Sequence, residues 1–168
     1  MVEAAGERRS PLRLVCFELG GQELALPIES VRETLPIQPI TRVVLTPPCL
    51  AGVFSLRGDI VPAVDIGVLF GMQRSEVGDD SRIVVVDHEG DTIGIVVDRL
   101  RDLRTIEALE PPPNNLEPAI AVLLAGIAAT PTGTVRVLAA GAIIGAPALR
   151  ALAKPSSRDR AGDDEGSV

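Results

Sequence analysis

The sequence predicts a mostly β fold, arranged as barrels or a sandwich, on three observations. Short runs rich in Val, Ile and Leu recur in pairs along the chain. Each pair is joined by a turn containing glycine, which supplies the positive φ that tight hairpins demand. Several runs are apolar at every position instead of alternating, so neither face of those strands suits water. Either two small barrels pack on each other or the apolar surface docks partners, and the two are compatible.

In chain order, "LRLVCFEL" from Leu12 and "QELALPI" from Gln22 read as two strands joined at Gly20 and Gly21. "VFSL" and "IVPAVD" pair around the turn Arg57 to Asp59, and "RIVVVD" and "DTIGIVVD" around His88 to Gly90. Each second strand leads into a segment of mild helical character: "IESVRETL", "IGVLF" and "RLRDL". "EPPPNNLEP" is a loop, because proline denies a ladder its donors. A fourth pair lies within "AVLLAGIAATPTGTVRVLAA" and turns at Pro131 to Gly133. Ala142 to Leu152 is a weak helix interrupted by Gly145 and Pro147. The polar, aperiodic ends predict a disordered N-terminus over 1–10 and a disordered acidic tail over 154–168, leaving one folded domain over 11–153.

The 168 residues suit about one domain. Hydrophobic residues are 46% of the chain, with three Phe and no Trp or Tyr, so the core is aliphatic. A net charge of -7 and the lack of aromatics argue against a nucleic-acid partner, which needs clustered cations or stacking platforms. Cys16 and Cys49 are too few for a disulfide scaffold and read as buried thiols of a reducing compartment. Arg13 and Glu18 interrupt any signal-like apolar stretch near the N-terminus, and the run Ala119 to Ala129 is too short to cross a bilayer. A cytoplasmic protein with no direct membrane insertion is expected.

Catalytic chemistry finds little support. His88 is the only histidine and stands in a turn, without a second imidazole for a metal or a triad. Cys16, mid-strand among aliphatics, has the surroundings of a raised thiol pKa. Asp65 and Asp98 end equivalent strands and read as turn residues bonding their own backbone. "GGQ" lacks the lysine of a phosphate loop, and Arg57-Gly58-Asp59 reads as a hairpin tip. No catalytic residue, metal or cofactor is assigned.

"FELGGQELALPIESVRE", "ITRVVLTPPCLAGVFSLRGDIVPAVDIGVLFG" and "RIVVVDHEGDTIGIVVDRLRDL" together resemble the CheW family of bacterial chemosensory adaptors, from about Leu12 to Leu152. The resemblance implies two small five-stranded SH3-like β-barrels packed together, with short helices and a C-terminal helix. The N- and C-terminal strands would share the first barrel. It also implies a non-catalytic scaffold joining the cytoplasmic tip of a chemoreceptor to the regulatory domain of a CheA-type histidine kinase, recruited to receptor arrays at the inner membrane.

Carried over by position, Val31, Glu33 and Arg57 correspond to receptor-binding residues, and Ile40, Gly52 and Ile60 to the kinase-binding face. Glu33 and Arg57 are expected on one surface, where they can pair. Gly20, Gly21, Gly58 and Gly94 are expected as structural turn glycines, the last two matching family glycines. Ser55 stands where the family usually has Asn, and Gly67 where it usually has Arg. These departures leave room for a specialised relative that binds one partner and regulates pili, gliding or another output.

Overall fold

Three hairpins set the architecture, and each turns on two residues at positive φ. Gly20 and Gly21, Arg57 and Gly58, and Glu89 and Gly90 all have φ between 50° and 90°. This mirror-image turn matches the right-handed twist of the flanking strands. The structure, a computed structural model, describes residues 11–73, 76–131 and 133–149. The ends expected to be disordered, 1–10 and 154–168, lie outside the described residues.

The strands are β1 (Leu12–Leu19), β2 (Gln22–Pro27), β3 (Val31–Pro36), β4 (Leu50–Leu56) and β5 (Asp59–Val64), then β6 (Arg82–His88), β7 (Asp91–Val97), β8 (Arg99–Ile106), β9 (Leu124–Thr130) and β10 (Gly133–Leu138). Helices are short: α1 (Ile66–Leu69), α2 (Pro118–Ala121) and α3 (Ala140–Ile144). The strands form two five-stranded sheets, ordered β8-β1-β2-β10-β9 (barrel 1) and β3-β6-β7-β5-β4 (barrel 2).

Each sheet is closed by a pair of backbone hydrogen bonds. Thr41, just beyond β3, exchanges two bonds of 2.8 Å with Val53 on β4, and Glu110, beyond β8, exchanges bonds of 2.9 and 2.8 Å with Ile127 on β9. A glycine stands beside each crossing. A Cβ on Gly52 would lie 2.3 Å from the Thr41 carbonyl oxygen, and one on Gly126 would lie 2.6 Å from that of Glu110.

Both glycines belong to the same tripeptide, Leu-Ala-Gly, at 50–52 and at 124–126. The chain is thus two copies of one five-strand unit, β1–β5 and β6–β10, each giving its first hairpin to one barrel and its last three strands to the other. The N- and C-terminal strands meet in barrel 1, where β10 runs parallel to β2.

Three clusters fill this frame. Leu14, Cys16, Ala25, Val135 and Val137 fill barrel 1, and Phe54, Val61, Ala63, Ile83 and Val85 fill barrel 2. The largest cluster lies between them, where Phe17, Leu19, Leu24 and Leu26 meet Val64, Val84, Val86, Ile95 and Val97. Strand β6 shows the division, with Ile83 and Val85 inside barrel 2 and Val84 and Val86 in the joint. Its unbroken apolar run is therefore explained by burial on both faces.

Several expectations need correction. "IESVRETL" is helical only over Ile28–Ser30, as one 3-10 turn, and continues as β3. "RLRDL" is the start of β8. Both segments cross from one barrel to the other, and the open edges they meet on β6 and β1 override weak helical propensity. Gly94 is not a turn glycine: it lies inside β7, where a Cβ would stand 2.6 Å from the Phe54 ring and 2.8 Å from Ile83. Asp65 does bond its own backbone, accepting from Gly67 N at 3.1 Å to cap α1. Asp98 instead accepts from Gly20 N at 2.8 Å, tying the β7–β8 junction to the β1–β2 turn. The C-terminal helix begins earlier than expected, at Ala140, and breaks at Gly145.

Gly52→Ala and Gly126→Ala should each destabilise the fold by about 1 to 3 kcal/mol, because backbone must move to admit the methyl. Gly21→Ala, which meets nothing within 4 Å, should cost only the positive φ of 79°, about 1 kcal/mol. Urea unfolding of the three variants checks the order.

Candidate functional site

The β4–β5 turn holds Arg57 at φ 50° and leaves its side chain 65% exposed. Strand β3 runs nearby and presents Glu33, which is only 23% exposed. Arg57 Nη1 donates to Glu33 Oε2 at 2.5 Å and Nη2 donates to Oε1 at 2.8 Å, a bidentate fork. That hydrogen bonding, with the guanidinium charge, holds the Glu33 carboxyl below the usual glutamate range and pushes Arg57 up. The pairing expected of these residues is present. Val31, at the start of β3, pairs with Val86 and packs half-buried against the joint between the barrels.

Beside this fork runs a groove of about 540 Å³ between the β4–β5 and β6–β7 turns. Arg32, Gly58, Ile60, Gly90 and Thr92 are among its lining residues, and Ile60 is 69% exposed. Arg32 faces Asp87 at 3.8 Å on the same side.

Of the three residues carried over as a kinase face, only Ile60 is strongly exposed. Ile40 is half-buried against the barrel 2 core, and its Cγ2 lies 2.7 Å from where a Gly52 Cβ would stand. Ile40 and Gly52 therefore meet at the barrel closure, while Ile60 points outward from β5. Beyond the closure, Val43, Val44 and Leu45 form an exposed aliphatic loop. Leu45 is fully exposed and sits at φ 61°, a costly conformation for a leucine. Sequence reasoning missed this loop. Its signal was three aliphatics between Arg42 and the Pro47–Pro48 pair with no strand period.

The groups considered for catalysis are apart. Cys16 is inside barrel 1, and burial, aided by the Glu23 charge, pushes its thiol up to about 11. His88 ends β6 in barrel 2, half-exposed, 3.6 Å from Glu89, with its ring against Gly141 of α3. Among the described residues no group of three or more His, Cys, Asp or Glu is placed to hold a metal ion, and no helix is long and apolar enough to cross a membrane.

Residues 13–147 match the model of the CheW-like domain. The chain is 33% identical over 107 residues to "Chemotaxis protein CheW" of Helicobacter pylori, covering 62% of this chain and 65% of that protein. It is 34% identical over 99 residues to the protein of the same name from Klebsiella aerogenes, covering 58% and 60%. These matches span less than two thirds of the relatives' own length. Protein FrzA of Myxococcus xanthus is 29% identical over 111 residues, 65% of this chain and 69% of its own. The solved structure of the scaffolding protein TtCheW from Thermoanaerobacter tengcongensis superposes with a TM-score of 0.70 at 29% identity, covering 78% of this chain and 86% of that one.

Two chemical outcomes follow. Both cysteines are buried, so neither should react with a thiol reagent in the native protein at pH 8, and both should react on unfolding. Rapid native labelling of Cys16 would contradict its burial. The depressed Glu33 pKa contributes stability that is present above the unfolded value of about 4.3 and is lost as pH falls through the folded value. Carboxyl-detected NMR titration should place Glu33 below the usual glutamate range, and Arg57→Ala should return it to that range.

Proposed function

The chain belongs to the CheW-like domain family, and on that premise we propose that it is a non-catalytic adaptor. It couples the cytoplasmic tips of chemoreceptors to the regulatory domain of a CheA-type histidine kinase, and works in the cytoplasm at receptor arrays on the inner membrane. The observation that carries the reading is the exposed Arg57 fork on barrel 2, beside outward-facing apolar residues that the core does not use.

The receptor side is assigned to Arg57, with Glu33 fixing its direction and Val31 opening the strand that carries Glu33. Because the fork is a surface pair, its contribution to folding is small and its value lies in orientation. The kinase side is assigned to aliphatic groups on barrel 2. Ile60 and the loop Val43 to Leu45 present the reachable surface, while Ile40 and Gly52 hold the closure from which that loop springs. Apolar docking concentrates binding energy in a few anchors, which suits such isolated, exposed aliphatics.

Binding assays with a receptor cytoplasmic fragment and a kinase regulatory domain test this assignment. Arg57→Ala should weaken receptor binding while leaving the melting curve nearly unchanged. Ile60→Asp should stay folded, since the side chain is exposed, and should weaken the kinase by about 2 kcal/mol, some thirtyfold, with receptor binding intact. Wild-type affinity for both partners in both variants refutes the assignment. Loss of both partners together in a folded Ile60→Asp variant favours a single-site regulator over a two-sided adaptor.

A further inference from the structure

A cavity of about 140 Å³ lies against the outer face of barrel 1, over strands β2 and β10. Its wall is apolar: Leu24 from β2, Phe70 and Met72 from the connection after α1, and Leu116 and Ile120 from the connection between β8 and β9. One end is polar. There Arg136 of β10, in register with Leu24, donates to the side-chain oxygen of Gln22.

Arg136 differs from the arginines held in ion pairs in what it faces. Arg32, Arg57, Arg99, Arg101 and Arg104 each lie against a carboxylate. Arg136 is held by a neutral amide, with no carboxylate partner among the described residues. The remaining guanidinium N–H groups and the Gln22 amide N–H₂ are donors at the same end of the cavity, so a ligand acceptor there completes the set. A chain of net charge -7 repels anions at long range, so an anion held here owes its place to these donors.

We propose that this cavity binds a small amphipathic carboxylate, with the carboxylate on Arg136 and Gln22 and a ring or short branched tail among Leu24, Phe70, Leu116 and Ile120. The volume is close to that of a cavity that holds one benzene ring, so the ligand is of aryl-carboxylate or short-chain acid size. The site joins β2 and β10 of barrel 1 to the connections that follow α1 and β8. Occupancy therefore braces the two halves of the chain against each other, away from the fork and the aliphatic loop on barrel 2.

Benzoate is the probe, titrated into the full chain by calorimetry and followed by methyl NMR. One saturable site is expected, with shifts at Leu24, Leu116 and Ile120 and competition by hexanoate. Benzyl alcohol should bind at least about tenfold more weakly than benzoate, as should benzoate to Arg136→Gln, because each removes the charge-assisted contact. Ile120→Phe should also weaken benzoate by filling the cavity. Absence of saturable benzoate binding overturns the proposal, as does equal affinity for the alcohol or unchanged affinity in Arg136→Gln. Should Arg136→Gln melt early, Gln22→Ala, also at an exposed position, replaces it and must show the same selective loss of the carboxylate.

Discussion

Burial of both faces of two hairpins is the constraint on which the rest of the molecule depends. Strands β1–β2 and β6–β7 each turn one row of side chains into their own barrel and the other row into the joint between barrels. A strand with two buried faces has no position free for a charge except at its ends. The ionisable residues of these hairpins accordingly gather at the turns and at the rim of barrel 1: Glu18 and Glu23 with Arg101 and Arg104, Asp87 with Arg32. The core is mostly aliphatic, with Phe17 in the joint and Phe54 inside barrel 2, where Gly94 leaves room for the Phe54 ring.

The candidate docking features of barrel 2 are by-products of how that barrel closes. Bringing Thr41 onto Val53 obliges the chain to leave β3 and return to β4 through a loop, and that loop carries Val43 to Leu45. The tight turn after β4 places Arg57 at its apex, within reach of the strand that carries Glu33. The matching place in barrel 1 is different, since Pro131 opens the β9–β10 turn and offers no cation. The two halves share a backbone plan and differ in what they expose, so the chain has no arginine in the β9–β10 turn to match Arg57.

Much of this was legible in the chain. A glycine in each turn marked the hairpins, and the lack of alternation in "RIVVVD" and "IGIVVD" announced burial on both faces. The family resemblance brought Glu33 and Arg57 to one surface, and the structure pairs them. What sequence reasoning missed was non-local. Strands β3 and β8 mix charged with apolar residues and read as mildly helical, and only the edges waiting on β6 and β1 decide otherwise. Gly94 and Gly52 are set by side chains and carbonyls far away in sequence, which no local pattern encodes. Ile40 and Ile60 look alike in the sequence, yet Ile40 lies in the connection between β3 and β4 and packs against the core of barrel 2, while Ile60 on β5 faces outward.

The exchange of strands between the two halves also has a consequence during synthesis. As the chain leaves the ribosome, β1 and β2 emerge well before their neighbours β8 and β10. Until then the hairpin shows two apolar faces and two open edges, the features that draw unwanted association. Barrel 2 is complete once β7 has emerged, and its outer face then offers the waiting hairpin a surface to shelter on before its own sheet exists. The joint between barrels thus acts in time as well as in space, with the first sheet to finish serving as a template for the second.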